Sequence, residues 1–151
     1  MFIVCGRENL GTREFRVKDQ TRHGSSASGD RLGELDIKIE DQTGRTVSII
    51  EALNLDYCDT TKIESHVDKL LCKYDSSGLK ENYILVYVTA ADFVGLCQKY
   101  RAHLEKIDYK AYPLQGKIAE PETGFNKIMA YRGRHRCHKG ETVLDHILVE
   151  M

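Results

Sequence analysis

The sequence predicts a single α/β domain with a mixed central β-sheet flanked by helices, and three observations carry that expectation. Leu35 to Glu40 alternates apolar and charged residues, with Leu35, Ile37 and Ile39 on one side and Asp36, Lys38 and Glu40 on the other, as in a half-buried strand. Val47 to Leu53 is a β-branched apolar run of the kind that fills a buried central strand, and it closes on Glu51. Apolar residues at helical spacing then follow, and a further buried strand, Tyr83 to Val88, comes after them.

Taken in order, residues 1–23 show no clean period, although Phe15 to Thr21 can form a short strand. Gly24 to Gly29 is small and polar and reads as a loop. Asp41-Gln42-Thr43-Gly44 is a turn in which Gly44 supplies a positive φ. Thr61 and Glu64 match a capping box for a helix that places Ile63, Val67, Leu70 and Leu71 on one side and ends at Asp75 to Gly78. Phe93, Leu96, Cys97, Tyr100 and Leu104 mark a second amphipathic helix. After a loop with Pro113 and Pro121, Ile128–Arg134 and Val143–Val149 are expected to close the fold as a hairpin around His138 to Glu141. No repeat or linker divides residues 1–151.

A chain of 151 residues buries roughly two thirds of its unfolded surface, so it needs no staple. Its 41% hydrophobic and 30% charged content is that of a globular protein. The apolar runs are too short to span a bilayer, and Arg7 and Glu8 interrupt the first one before it could serve as a secretory signal. The expectation is therefore a cytoplasmic protein with no membrane partner, whose five cysteines are reduced thiols. Net charge is −1, which excludes a polycation, yet Lys127 to Lys139 holds five Lys or Arg and no acid. Such a stripe suits either a polyanion or a solvated hairpin face.

The chemistry concentrates at Asp36 and Glu51. In a hairpin symmetric about Thr43 and Gly44 they lie opposite each other on one side of the sheet, with Cβ atoms roughly 5 Å apart. Glu34 then pairs with Leu53, and Lys38 lies diagonally from Glu51. Two carboxylates so close need a proton or a cation between them, and hard oxygen ligands on rigid strands suit Mg²⁺ or Mn²⁺. A solvated strand face accounts for Asp36, Lys38 and Glu40, but less well for Glu51, which ends the most hydrophobic strand of the chain.

Other clusters are thinner. His135-Arg136-Cys137-His138, with Cys97 or His103, offers only one of the two ligand sets that structural zinc uses. His66 reads as a packed or capped histidine rather than a base, and no phosphate-binding glycine loop is present.

Asp36, fourteen intervening residues and Glu51 on the next strand, followed by a helix and a strand, resemble the PD-(D/E)XK nuclease superfamily. That resemblance implies a restriction-endonuclease-like fold, a helix, three antiparallel strands, a helix and a strand, onto which residues 35–88 fit from the second strand onward. It implies Asp36 and Glu51 as metal ligands, helped by a backbone carbonyl after Glu51 and supported by Glu34. The runs Arg16 to Arg22, Glu51-Ala52-Leu53-Asn54 and Asn82 to Tyr87 are also similar to nuclease-like domains attached to larger bacterial defence proteins. The superfamily's lysine, two residues after the glutamate, is Leu53 here. Lys38 is expected to replace it; Asn54 could do so only if the strand bulges. The implied activity is Mg²⁺- or Mn²⁺-dependent hydrolysis of nucleic-acid phosphodiesters, DNA ahead of RNA. Lys18, Arg22, Arg31, Arg132, Arg134, Arg136 and Lys139 would contact phosphates. The alternative is an inactive nuclease-like scaffold that binds nucleic acid or protein, as a homo-oligomer or within a defence assembly.

Overall fold

The turn Asp41–Gly44 organises the first half of the molecule. Gly44 adopts φ +81°, and the Asp41 carboxylate accepts from the Thr43 and Arg45 amides and from the Thr43 hydroxyl. This local network competes with strand structure and so ends both flanking strands. The computed structural model describes residues 15–19 and 37–151, with the Asp19 side chain outside the description. On either side of the turn run β2 (Ile37–Glu40) and β3 (Thr46–Leu55), antiparallel, with β1 (Arg16–Asp19) on the outer side of β2. Ile37 pairs with Ile50 and Lys38 with Ile49, the register of a hairpin symmetric about Thr43 and Gly44. A bulge between Ile39 and Glu40 is confined to the turn end.

Helix α1 (Thr60–Asp68) begins at Asp59, whose side chain accepts from the Lys62 amide at 3.0 Å. The expected capping box at Thr61 and Glu64 is therefore two residues late. An aspartate before the helix satisfies the free amide, and Glu64 lies instead 3.1 Å from His103. Beyond Asp68 the helix widens into a π turn, Lys69–Tyr74, closed by the Asp75 amide donating to the Leu70 carbonyl at 2.9 Å. Asp75 is buried and accepts from the Leu79 amide and the Asn82 side chain, while Asn82 in turn accepts from the Ile49 amide. That chain of bonds ties the helix end to two strands.

Strands β4 (Glu81–Val88), β5 (Ile128–Cys137) and β6 (Gly140–Glu150) complete a six-stranded sheet of order β1-β2-β3-β4-β6-β5. β4 runs parallel to both β3 and β6, and the other pairings are antiparallel. Helix α2 (Phe93–Leu104) buries the five residues its periodicity picks out. The fold is thus α/β with a mixed sheet.

Register decides which side the core occupies. Glu51, Ile84, His146 and Tyr131 form one row across four strands, on the side that also carries Leu53, Val86, Leu144 and Leu148, all buried. His66 of α1 meets Glu51 and Tyr100 of α2 meets His146, so both helices cover this side. The opposite row, Ile50, Tyr83, Asp145 and Arg132, has no helix over it among the described residues.

Candidate active site

Glu51 stands in the middle of β3 with no solvent exposure. A carboxylate there loses its hydration, which costs several kcal/mol unless charge and hydrogen bonds replace it. Two side chains from the helical segment after β3 do so. His66 Nδ1 and Lys69 Nζ each lie 2.7 Å from Glu51 Oε1. Both approach from one side because positions three apart share a helix face. The Lys69 ammonium also sits 5.0 Å from the centre of the Tyr74 ring, in cation–π range. A turn below, Lys62 donates to the Asn54 carbonyl at 3.0 Å. The result is a buried carboxylate, an imidazole and an ammonium converging on one point, with the lysine stem leading out to solvent.

The residues expected from the sequence fall into three groups. Glu51 is at the centre. Asp36, Glu34, Arg22 and Arg31 lie outside the described residues. Lys38 is half-buried on the Glu51 side of the sheet, opposite Ile49, but the ammonium hydrogen-bonded to Glu51 is that of Lys69. Leu53, at the superfamily's lysine position, is fully buried among apolar neighbours, so a charge at that point would have no route to water. Asn54 lies on the opposite side of β3, since β3 carries no bulge there. The sequence reading of His66 as a packed or capped residue understates it: it is buried and bonded to the acid. Lys69 was not singled out at all. Its signal is the basic pair His66 and Lys69, three apart, beside the apolar stripe Ile63, Val67, Leu70.

Of the expected phosphate contacts, Lys18 pairs with Glu40 at 2.9 Å. Arg132 makes a two-pronged bond to Asp145, at 2.7 and 2.9 Å, which the Asp145 charge strengthens by holding the guanidinium protonated. Arg134 faces Glu141 at 3.5 Å, and Lys127 faces Glu150 at 3.6 Å. The acids that were missing within Lys127–Lys139 stand on β6. Arg136 and Lys139 are exposed and make no ion pair among the described residues.

At the expected zinc cluster, His135 and Cys137 point into the core and His138 is exposed, because the strand alternates. His135 Nδ1 bonds the Tyr112 carbonyl at 3.0 Å. Among the described residues no three His, Cys, Asp or Glu stand close enough to hold a metal. The described cysteines, Cys58, Cys72, Cys97 and Cys137, are free thiols, and no described helix is long and apolar enough to cross a membrane.

No family model matches the chain, and no curated protein or solved structure matches it either.

Proposed function

We propose that this domain is nuclease-like and acts on nucleic-acid phosphodiesters at Glu51, with a restriction-endonuclease-like arrangement of strand, acid and helix. The observation that carries the reading is a fully buried strand carboxylate with an ammonium 2.7 Å from it. That ammonium marks a position where positive charge is favourable, while a divalent ion would also need oxygen ligands beyond Glu51, which no described group supplies. Glu51 brings one of the hard oxygen ligands, and Asp36 and Glu34 are the residues that would bring the others. A bound Mg²⁺ or Mn²⁺ would lower the pKa of a water and stabilise charge on a phosphoryl oxygen. His66 holds the Glu51 carboxylate in one orientation. Lys69 supplies the cation that Leu53 cannot, from the helix rather than the strand, and offsets the charge of an approaching phosphate. Arg136 and Lys139 are the cations of the β5–β6 hairpin left to meet a phosphate backbone.

A second reading has its own support: Lys69 neutralises Glu51 without any metal. This favours a scaffold that keeps the nuclease-like sheet and binds DNA, RNA or a protein of a defence assembly without cleaving. Incubation of plasmid and single-stranded DNA and RNA with Mg²⁺ or Mn²⁺ separates the two. The first reading expects cleavage that disappears in Glu51→Gln and Asp36→Asn while both variants stay folded. Intact substrates with wild type in both metals would leave only the scaffold.

A further inference from the structure

Three neighbouring strands of the sheet each begin one residue after a cation: Arg45 precedes β3, Lys80 precedes β4 and Lys139 precedes β6. Because β4 runs parallel to both of the others, all three cations stand at the same end of the sheet, on strands roughly 5 Å apart. A cleft of about 1010 Å³ opens there between the turns at 41–47, 77–80 and 139–141, and Phe15, which is exposed, also lines it. Each cation is carried on fixed backbone. The Arg45 amide donates to the Asp41 carboxylate, and the Arg45 carbonyl accepts from the Asp41 amide at 2.9 Å. The Lys80 carbonyl accepts from the Val143 amide at 2.8 Å, while the flanking Leu79 and Glu81 carbonyls accept from the hydroxyls of the buried Thr142 and Ser48. Lys139 lies across Gly78, where an added Cβ would stand 3.5 Å from the lysine Cβ and Cδ. The two acids of the cleft are engaged elsewhere: Asp41 holds the turn amides and Glu141 faces Arg134 at 3.5 Å. Among the described residues no ion pair closes on Arg45, Lys80 or Lys139.

We propose that this cleft binds a single strand of nucleic acid, with Arg45, Lys80 and Lys139 meeting its phosphates and Phe15 stacking on a base. The site rests on the nucleic-acid half of the proposed function and on neither Glu51 nor cleavage. Unpaired cations gathered in a concave place repel one another and focus their field on an incoming anion, so an anionic ligand relieves a strain that the free protein carries. The cleft has the volume of a small-ligand site, which admits a few nucleotides of one strand and leaves a duplex on its rim. An exposed aromatic ring beside backbone-facing cations is the combination that holds single strands without base readout. An acidic peptide would satisfy the cations but give the ring nothing to stack on.

Fluorescence anisotropy of a labelled oligothymidylate of about ten nucleotides, a length that such grooves cover, tests this on the whole chain. Three phosphate contacts on a single strand give a log–log salt slope of about −2.1. Arg45→Gln combined with Lys80→Gln should reduce it to about −0.7, whereas Lys106→Gln, an exposed lysine outside the cleft, should leave it unchanged. Phe15→Leu should weaken binding about fivefold or more at every salt concentration without altering the slope, and Phe15→Tyr should match wild type. All four positions are exposed, so urea midpoints should stay close to that of wild type and show that each variant is folded. A slope that persists in the Arg45, Lys80 double variant overturns the cleft while the nucleic-acid reading stands. Displacement of the oligothymidylate by polyglutamate at equal concentration of charge overturns nucleic acid as the occupant and makes the cleft a face for an acidic protein. Absence of binding by wild type even at low salt overturns the nucleic-acid reading and this site together.

Discussion

At Glu51 a single residue decides between structure and chemistry. A buried ion pair contributes little net stability, because the Coulomb gain is offset by desolvation of both partners. Breaking one from a single side, by contrast, strands a charge. Lys69→Met should therefore lower unfolding free energy by about 3 kcal/mol, since it takes an ammonium away from the fully buried Glu51 carboxylate. Replacing Glu51, His66 and Lys69 together by leucines should cost no more than about 1 kcal/mol, and can stabilise, because all three sit against an apolar core. Urea denaturation of the two variants measures the contrast. A triple variant as unstable as the single one would mean that the cluster is kept for folding and would remove the physical motive for assigning it a function.

At the scale of elements, local pattern made most of the fold legible. The turn at Gly44, the burial of β3, the five inward residues of α2 and the β5–β6 hairpin all follow from residues within a few positions of one another. What lay hidden is non-local or energetically fine. Nothing in the sequence of β6 announces that it inserts between β4 and β5, because a parallel partner leaves no turn residues to mark it. The π turn differs from an α-helix by one extra residue within the hydrogen-bonded turn and has no compositional mark. The acid site was half legible, since Glu51 stands out in an apolar strand whereas Lys69 resembles any surface helix lysine. Likewise the sequence gives no hint that His135 and His146 would be buried on neighbouring strands. Tyr100 bonds His146 at 2.8 Å from α2, Tyr109 packs on His135 from the following loop, and Tyr131 lies beside His146 on β5. Gly133 makes room for the His135 ring, as a Cβ there would come within 2.6 Å of His135 Nε2.

Both rings have Nε2 atoms without a hydrogen-bond partner among the described residues, and burial depresses both pKa values, His146 to about 3. The folded protein thus keeps these imidazoles neutral, while the unfolded chain takes up a proton on each near pH 6.5. Stability is complete above that value and falls as pH drops below it, by up to about 1.4 kcal/mol per pH unit for each histidine. His146→Gln should accordingly reduce the loss of stability between pH 7.5 and pH 5 by about 2 kcal/mol, read from urea midpoints at the two values. An unchanged loss would show that other groups, carboxylates above all, control acid unfolding.

For the whole molecule the question is how a chain of net charge −1 could bind a polyanion. Counted along the sequence, the hairpin offers five cations. Counted in space, Arg132, Arg134 and Lys127 are turned toward Asp145, Glu141 and Glu150, and among the described residues Arg136 and Lys139 remain outside such pairs. The two counts predict different salt dependences, because each phosphate neutralised on duplex DNA contributes about −0.9 to the log–log slope. If the hairpin is the interface, the slope should lie near about −1.8 rather than the roughly −4.5 that five contacts would give. Charge reversal at Arg136 and Lys139 should then abolish most of the slope and weaken all sequences alike, since phosphate contacts carry no base information. Those two exposed side chains can be changed with little effect on folding. Arg132→Glu should behave in the opposite way, costing stability first, because it sets a second acid against Asp145, which is only 5% exposed. Fluorescence anisotropy of a labelled duplex between 50 and 200 mM salt, about the range over which such contacts are lost, distinguishes the cases. A slope that survives reversal of Arg136 and Lys139 would move the nucleic-acid surface off the hairpin, and an absence of binding even at low salt would leave the protein-binding scaffold as the standing interpretation.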